Sequence, residues 1–130
     1  MHHEITFNQD CNYILIRTYG LTTLEGVLAF IRDLIDHPQF KPGRNIVQDH
    51  REVQASALSS DDIRSIASFT QQHREELGNG KCALVMRATA DFGMARMWES
   101  YADGHISLIT RTFLSFSDAE QWINKTGNDQ

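Results

Sequence analysis

Two groups of residues in this chain carry side chains capable of chemistry. The first is Asp49-His50-Arg51, followed by Ser59. A carboxylate, an imidazole and a hydroxyl are the parts of a nucleophilic triad. The acid orients the histidine, and the histidine takes the serine proton. That reading makes the chain a small hydrolase using the Asp49/His50/Ser59 region. Against it, no G-x-S-x-G elbow presents a serine and no glycine-rich loop cradles a phosphate. The simpler reading has Asp49 bonded to nearby loop amides, His50 facing solvent and Ser59 capping a helix. No catalytic residue is assigned, and Asp49 and Ser59 stand as regulatory candidates.

The second group is apolar: Met86, Met94, Met97, Trp98 and Tyr101, with Arg87 and Phe92 beside them. Met94, Trp98 and Tyr101 follow one helical stripe and suit a core. Met97 falls off that stripe. With Phe92 it would line a pocket or a contact surface, because methionine adapts to irregular apolar partners. Met86, Arg87, Phe92, Met94, Met97 and Trp98 form the candidate ligand-binding set, with Arg87 at the mouth to meet a polar head. Phe92, Met97 and Tyr101 form the candidate seam of a homodimer.

Metal and redox chemistry find no pattern to use. Cys11 and Cys82 lie far apart with no CxxC or Cys/His ligand spacing, which fits a reduced, cytoplasmic compartment. The six histidines are scattered, with no pair at i, i+4. His73, near the inward face of a helix, reads as a satisfied and partly buried side chain. Neither a metal nor a cofactor is expected.

These groups must be positioned by strands and helices, and the chain spells them in alternation. Glu4–Phe7 and Tyr13–Tyr19 read as an antiparallel hairpin about an Asn/Asp-rich turn. Thr22 and Glu25 read as a capping box opening a helix whose stripe is Leu24, Val27, Leu28, Ile31, Leu34 and Ile35. Pro38 ends it. Asn45–Asp49 reads as a short strand, and His50–Ala57 as a polar connection. Ser59 and Asp62 cap the next helix, with Leu58 and Ile63 as its hydrophobic staple and Gly78 at its end. Lys81–Arg87 is a buried parallel strand. A helix follows over Asp91–Asp103, then a strand over His105–Phe113. Ser117 and Glu120 read as a capping box for the final helix. The order β-β-α-β-α-β-α-β-α predicts an α/β fold: a mostly parallel sheet with an antiparallel N-terminal edge strand.

The chain has 130 residues, 41% of them hydrophobic and 22% charged, which is the balance of one globular domain spanning 1–130. A net charge of −5 argues against a nucleic-acid binder and against anchoring on anionic lipid. No apolar run reaches the ~20 residues of a membrane span. Met1-His2-His3-Glu4 carries no signal-peptide core.

Certain pieces of this pattern, in this order, resemble the SpoIIAA-like branch of the STAS superfamily, whose fold is shared with CRAL-TRIO lipid-binding domains. They are Gly20-Leu21-Thr22 opening the first helix and Asp49-His50-Arg51 closing the third strand. Ser59 with Asp61-Asp62, the strand Lys81–Arg87, the segment Gly93–Tyr101 and the ending Phe113 to Ile123 complete the likeness, which covers roughly Ile14 to Ile123. The resemblance implies one superhelical turn of β/α units. It also implies a non-enzymatic role, as a regulatory module binding a protein partner or as a carrier of a small apolar, lipid-like ligand. STAS regulators carry an Asp-Ser-x-Gly-Leu motif whose serine is phosphorylated. This chain has Leu58-Ser59-Ser60-Asp61-Asp62 in that place and so departs from the motif. The expectation is a cytoplasmic, bacterial, dimeric binding module and not an enzyme.

Overall fold

The computed structural model describes residues 1–7, 10–87, 95–96, 98–99 and 108–125, with residues 54–56 through their backbone. The strands are β1 (His2–Phe7), β2 (Tyr13–Thr22), β3 (Asn45–Ser56), β4 (Lys81–Val85) and β5 (Ile109–Phe113). The helices are α1 (Leu24–Asp36), α2 (Ser60–Gln72), the short α3 (Arg74–Leu77) and α4 (Phe116–Asn124). Ala95, Arg96, Trp98 and Glu99 are also helical. The sheet runs in the order β1-β2-β3-β4-β5. β1 is antiparallel to β2, and every other neighbouring pair is parallel. This is the mostly parallel α/β sheet that the alternation predicts, with the hairpin supplying the antiparallel edge. Among the described residues no helix is long and apolar enough to cross a membrane.

The period of two along each strand divides the interior into two cores. Ile14, Ile16, Ile46, Cys82 and Leu84 face one side, where Val27, Phe30, Ile31, Leu34, Ile66 and Ala95 cover them. Tyr13, Val47, Ala83 and Val85 face the other, under Ala119, Trp122 and Ile123 of α4. β2 is therefore packed on both faces, as the consecutive apolar residues Ile14, Leu15 and Ile16 suggest.

Several boundaries differ from the sequence reading. β3 does not stop at Asp49 but runs to Ser56. Among the described residues β4 pairs only with Ile46–Asp49, whereas β2 stays paired out to Ser56. The polar residues from His50 onward thus belong to a strand bonded on one side, where their polarity does no harm. The same pairing keeps β2 extended through Thr22, so Thr22 is not the cap of α1. Thr23 is, and its side chain accepts from the Gly26 amide at 3.1 Å. Ser115, not Ser117, caps α4 by accepting from the Asp118 amide. Glu120 is bonded instead to the Tyr13 hydroxyl at 2.7 Å. The helix expected to reach Leu77 breaks at His73, where α2 gives way to α3. His73 is half-buried and satisfied, as expected. It pairs with Glu76 at 3.0 Å and lies against the Phe69 ring.

The Ser59 cap stands as read: its hydroxyl accepts from the Asp62 amide and Asp62 accepts from the Ser59 amide. Gly78 closes α3 with φ +79° and ψ −159°, a region that only glycine occupies without strain. A Cβ there would also meet the backbone of Gly43. Gly78→Ala should therefore destabilise the fold by about 2 kcal/mol or more, read as a lowered urea midpoint at an unchanged slope.

Candidate functional site

On the α1/α2 side the sheet and helices line a partly open cavity of about 110 Å³. Its walls are largely apolar and include Phe30, Leu34, Ile66, Leu84, Met86 and Trp98. Polar side chains interrupt them along the sheet floor: Gln48 and His50 on β3, Cys82 on β4 and Thr110 on β5. Alternation places them there. Ile46, Gln48 and His50 are two residues apart and share one face, and Cys82 pairs with Thr110 across the sheet. Val53 returns to the cavity wall three residues beyond His50. Arg17 pairs with Asp49 but Tyr19 pairs with Glu52, so a bulge puts one extra residue in β3 and resets its alternation.

The stripe is joined by hydrogen bonds. The Gln48 side-chain amide donates to Cys82 Sγ at 3.5 Å, which leaves its Oε1 as an acceptor for His50 Nε2 at 3.0 Å. His50 then carries its proton on Nε2, and Nδ1 accepts from the Thr18 hydroxyl at 2.6 Å. Both imidazole nitrogens are thus occupied by neutral partners. Burial pushes the His50 pKa down to about 4, although the Asp49 charge pulls upward. Burial likewise pushes the Cys82 thiol up to about 12, with the Gln48 bond opposing it, so this cysteine is a neutral wall group.

Asp49 points to the opposite face of the sheet. Arg51 grips its carboxylate with two guanidinium bonds of 2.9 Å and its own amide at 3.1 Å. Arg17 stands 3.7 Å away. Burial raises the Asp49 pKa, but the Arg51 bonds outweigh it and the net shift is downward. The Arg51 guanidinium lies over the Phe116 ring at 5.1 Å, which ties this ion pair to the start of α4.

The structure therefore separates the three groups of the supposed triad. Adjacent strand residues Asp49 and His50 face opposite sides, both His50 nitrogens are engaged elsewhere, and the Ser59 hydroxyl is committed to the capping box. His50 is half-buried and turned to the cavity. Asp49 does bind an amide, that of Arg51, but its main partner is the guanidinium. Of the candidate ligand set, Met86 and Trp98 line the cavity. Arg87 is exposed just past the end of β4. Phe92, Met94, Met97 and Tyr101 lie outside the described residues, so the proposed dimer seam does too. Sequence reasoning missed Gln48, Thr18, Cys82 and Thr110 as one set. No periodic signal marks them: Gln48, Asp49 and His50 are consecutive polar residues, and so are Thr110, Arg111 and Thr112. Among the described residues no cluster of three His, Cys, Asp or Glu side chains is placed to hold a metal.

His50 sets a pH dependence. An unfolded histidine titrates near 6.5 and the folded one near 4, so between those values the unfolded chain binds more protons. This part of the stability is complete above pH 6.5 and drains away as pH falls toward 4. The drop corresponds to at most about 3 kcal/mol. Urea titrations at pH 7 and pH 4.5 should show it, and His50→Gln should flatten that pH slope.

No family model matches the chain, and no curated protein matches it. Among solved structures it is similar to an uncharacterized protein from the DUF3478 family with a SpoIIAA-like fold from Shewanella loihica PV-4. The two superpose with a TM-score of 0.57 at 17% identity, over 94% of this chain and 92% of that one. The order of strands and helices and this near-complete superposition agree: the chain has a SpoIIAA-like α/β fold.

Proposed function

We propose that this protein is a non-enzymatic binding module whose ligand is a small apolar molecule held between the sheet and the helices. The observation that carries this reading is the cavity itself. Its roughly 110 Å³ is space of the order that accepts a single hydrocarbon ring, since an engineered apolar cavity of ~150 Å³ binds benzene. Well-packed interiors of this size seldom leave such voids. Met86 and Trp98, two of the residues singled out from sequence, lie in its wall. The hydrolase reading draws no support from the geometry, because Asp49, His50 and Ser59 do not converge.

Toluene is a suitable probe. At ten times its Kd it should stabilise the protein by about 1.4 kcal/mol, seen as a higher melting temperature. It should also perturb Trp98 fluorescence. Trp122 lies under α4 on the other face of the sheet, so Trp98→Phe should lose the optical signal but keep the thermal one. No thermal shift at saturating toluene overturns the reading.

The regulatory reading, in which a protein partner responds to phosphorylation of Ser59, is tested separately. The complete capping box favours a structural role for this residue. Ser59→Ala should cost about 0.5–2 kcal/mol and Ser59→Asp much less, because aspartate also caps. Phosphate or aspartate at Ser59 that leaves stability intact but switches binding of a captured partner would establish the regulatory role instead.

A further inference from the structure

Among the described residues lining the cavity, Thr110 carries a fully buried polar atom that the fold leaves unused. Thr110 Oγ1 is buried and has no hydrogen-bond partner among the described residues. Its neighbours on the floor are all engaged: Gln48 with Cys82 and His50, and His50 with Thr18 as well. A buried hydroxyl without a partner is a standing cost, of the kind that a bound group or an ordered water removes. No Asp, Glu, Lys or Arg is found among the described residues lining the cavity.

Resting on the binding reading above, we infer that the ligand is a neutral ring or short chain bearing a single hydroxyl, and that Thr110 Oγ1 is the group that recognises it. Several features favour this class over an acid. Among the described residues lining this cavity a carboxylate would meet neutral groups only, and burying an unpaired charge is prohibitive. Arg87, the expected partner for a polar head, is exposed beyond β4. The volume, at interior packing density, accepts about 80 Å³ of ligand atoms, close to one substituted six-membered ring. A hydroxyl ligand also fits the chemistry of threonine, whose oxygen both donates and accepts, so either partner can supply the proton. The rest of the described lining is largely apolar and suits the body of such a molecule.

The test compares toluene, phenol and benzoate at neutral pH by calorimetric titration, on the wild type and on Thr110→Val. Valine has the shape of threonine and suits a strand, and its removal of an unpartnered oxygen should not weaken the fold. Phenol should bind the wild type, and Thr110→Val should weaken it about tenfold or more while toluene changes less than twofold. Benzoate should not bind detectably. Equal effects of Thr110→Val on phenol and toluene, or no effect on either, overturn the assignment of Thr110 while leaving the apolar binding reading intact. Benzoate binding as tightly as phenol overturns the neutral class. Failure of both toluene and phenol to bind the wild type removes the binding reading itself, and this inference with it. If the variant melts well below the wild type, Thr110→Ser supplies the control. It keeps the oxygen and should keep the preference for phenol.

Discussion

The structure depends most on the double parallel pairing of β3 with β2 and β4. A paired strand sends successive side chains to opposite faces of the sheet, and β3 is paired with both neighbours through Asp49 and with β2 beyond it. Four consecutive polar residues, Gln48 to Arg51, pass through this strand. Alternation deals them out as two separate pairs. Gln48 and His50 go to the cavity side, and Asp49 and Arg51 to the side of α4. A slip of one residue would put an ionised carboxylate into the apolar cavity and an imidazole against Arg17, so these residues also hold the register.

Each pair is tolerable in the interior for a different reason. Asp49 remains charged because Arg51 meets it in a two-pronged geometry and adds a backbone donor, which replaces most of the water it has lost. His50 takes the other course and remains neutral. Thr18 and Gln48 satisfy an uncharged ring fully, and burial disfavours the positive charge that a second proton would bring. The result is a cavity with no formal charge in its described wall, backed by an ion pair on the far side of the same strand. The cavity can therefore select on shape and on one hydrogen bond, with little electrostatic pull.

The bulges in the β2–β3 pairing extend the consequences. They lengthen β3 relative to β2, carry Val53 back to the cavity and bring the chain to Leu58 and Ile63, which close the same wall at the start of α2. The capping box of Ser59 fixes that start. Local hydrogen bonding at a helix end and long-range strand pairing thus meet at one edge of the cavity, so that a change in either alters its shape.

Sequence alone determined the class of the fold. Continuous apolar runs in Tyr13–Tyr19 and Lys81–Arg87, and apolar residues at a helical period from Leu24 to Ile35, leave few architectures besides a mostly parallel sheet covered by helices. Ser59 and Gly78 were equally legible, because a cap and a left-handed terminus are local events governed by neighbouring atoms. The choice between Thr22 and Thr23, or between Ser115 and Ser117, was not. Both candidates satisfy the local chemistry, and what selects one is how far the adjoining strand stays paired. The fate of Asp49-His50-Arg51 was decided at the same level. In sequence Asp49 closes a strand and His50-Arg51 open a polar connection, while Asp49 and His50 also read as two parts of a triad. Only the pairing with β2 showed His50 and Arg51 to be strand as well, and strand geometry sends neighbours to opposite faces. Thr110 became a candidate for function only in three dimensions. Its type and position are ordinary for a strand, and what distinguishes it is an oxygen buried beside a cavity with no partner, a property set by residues remote from it in the chain.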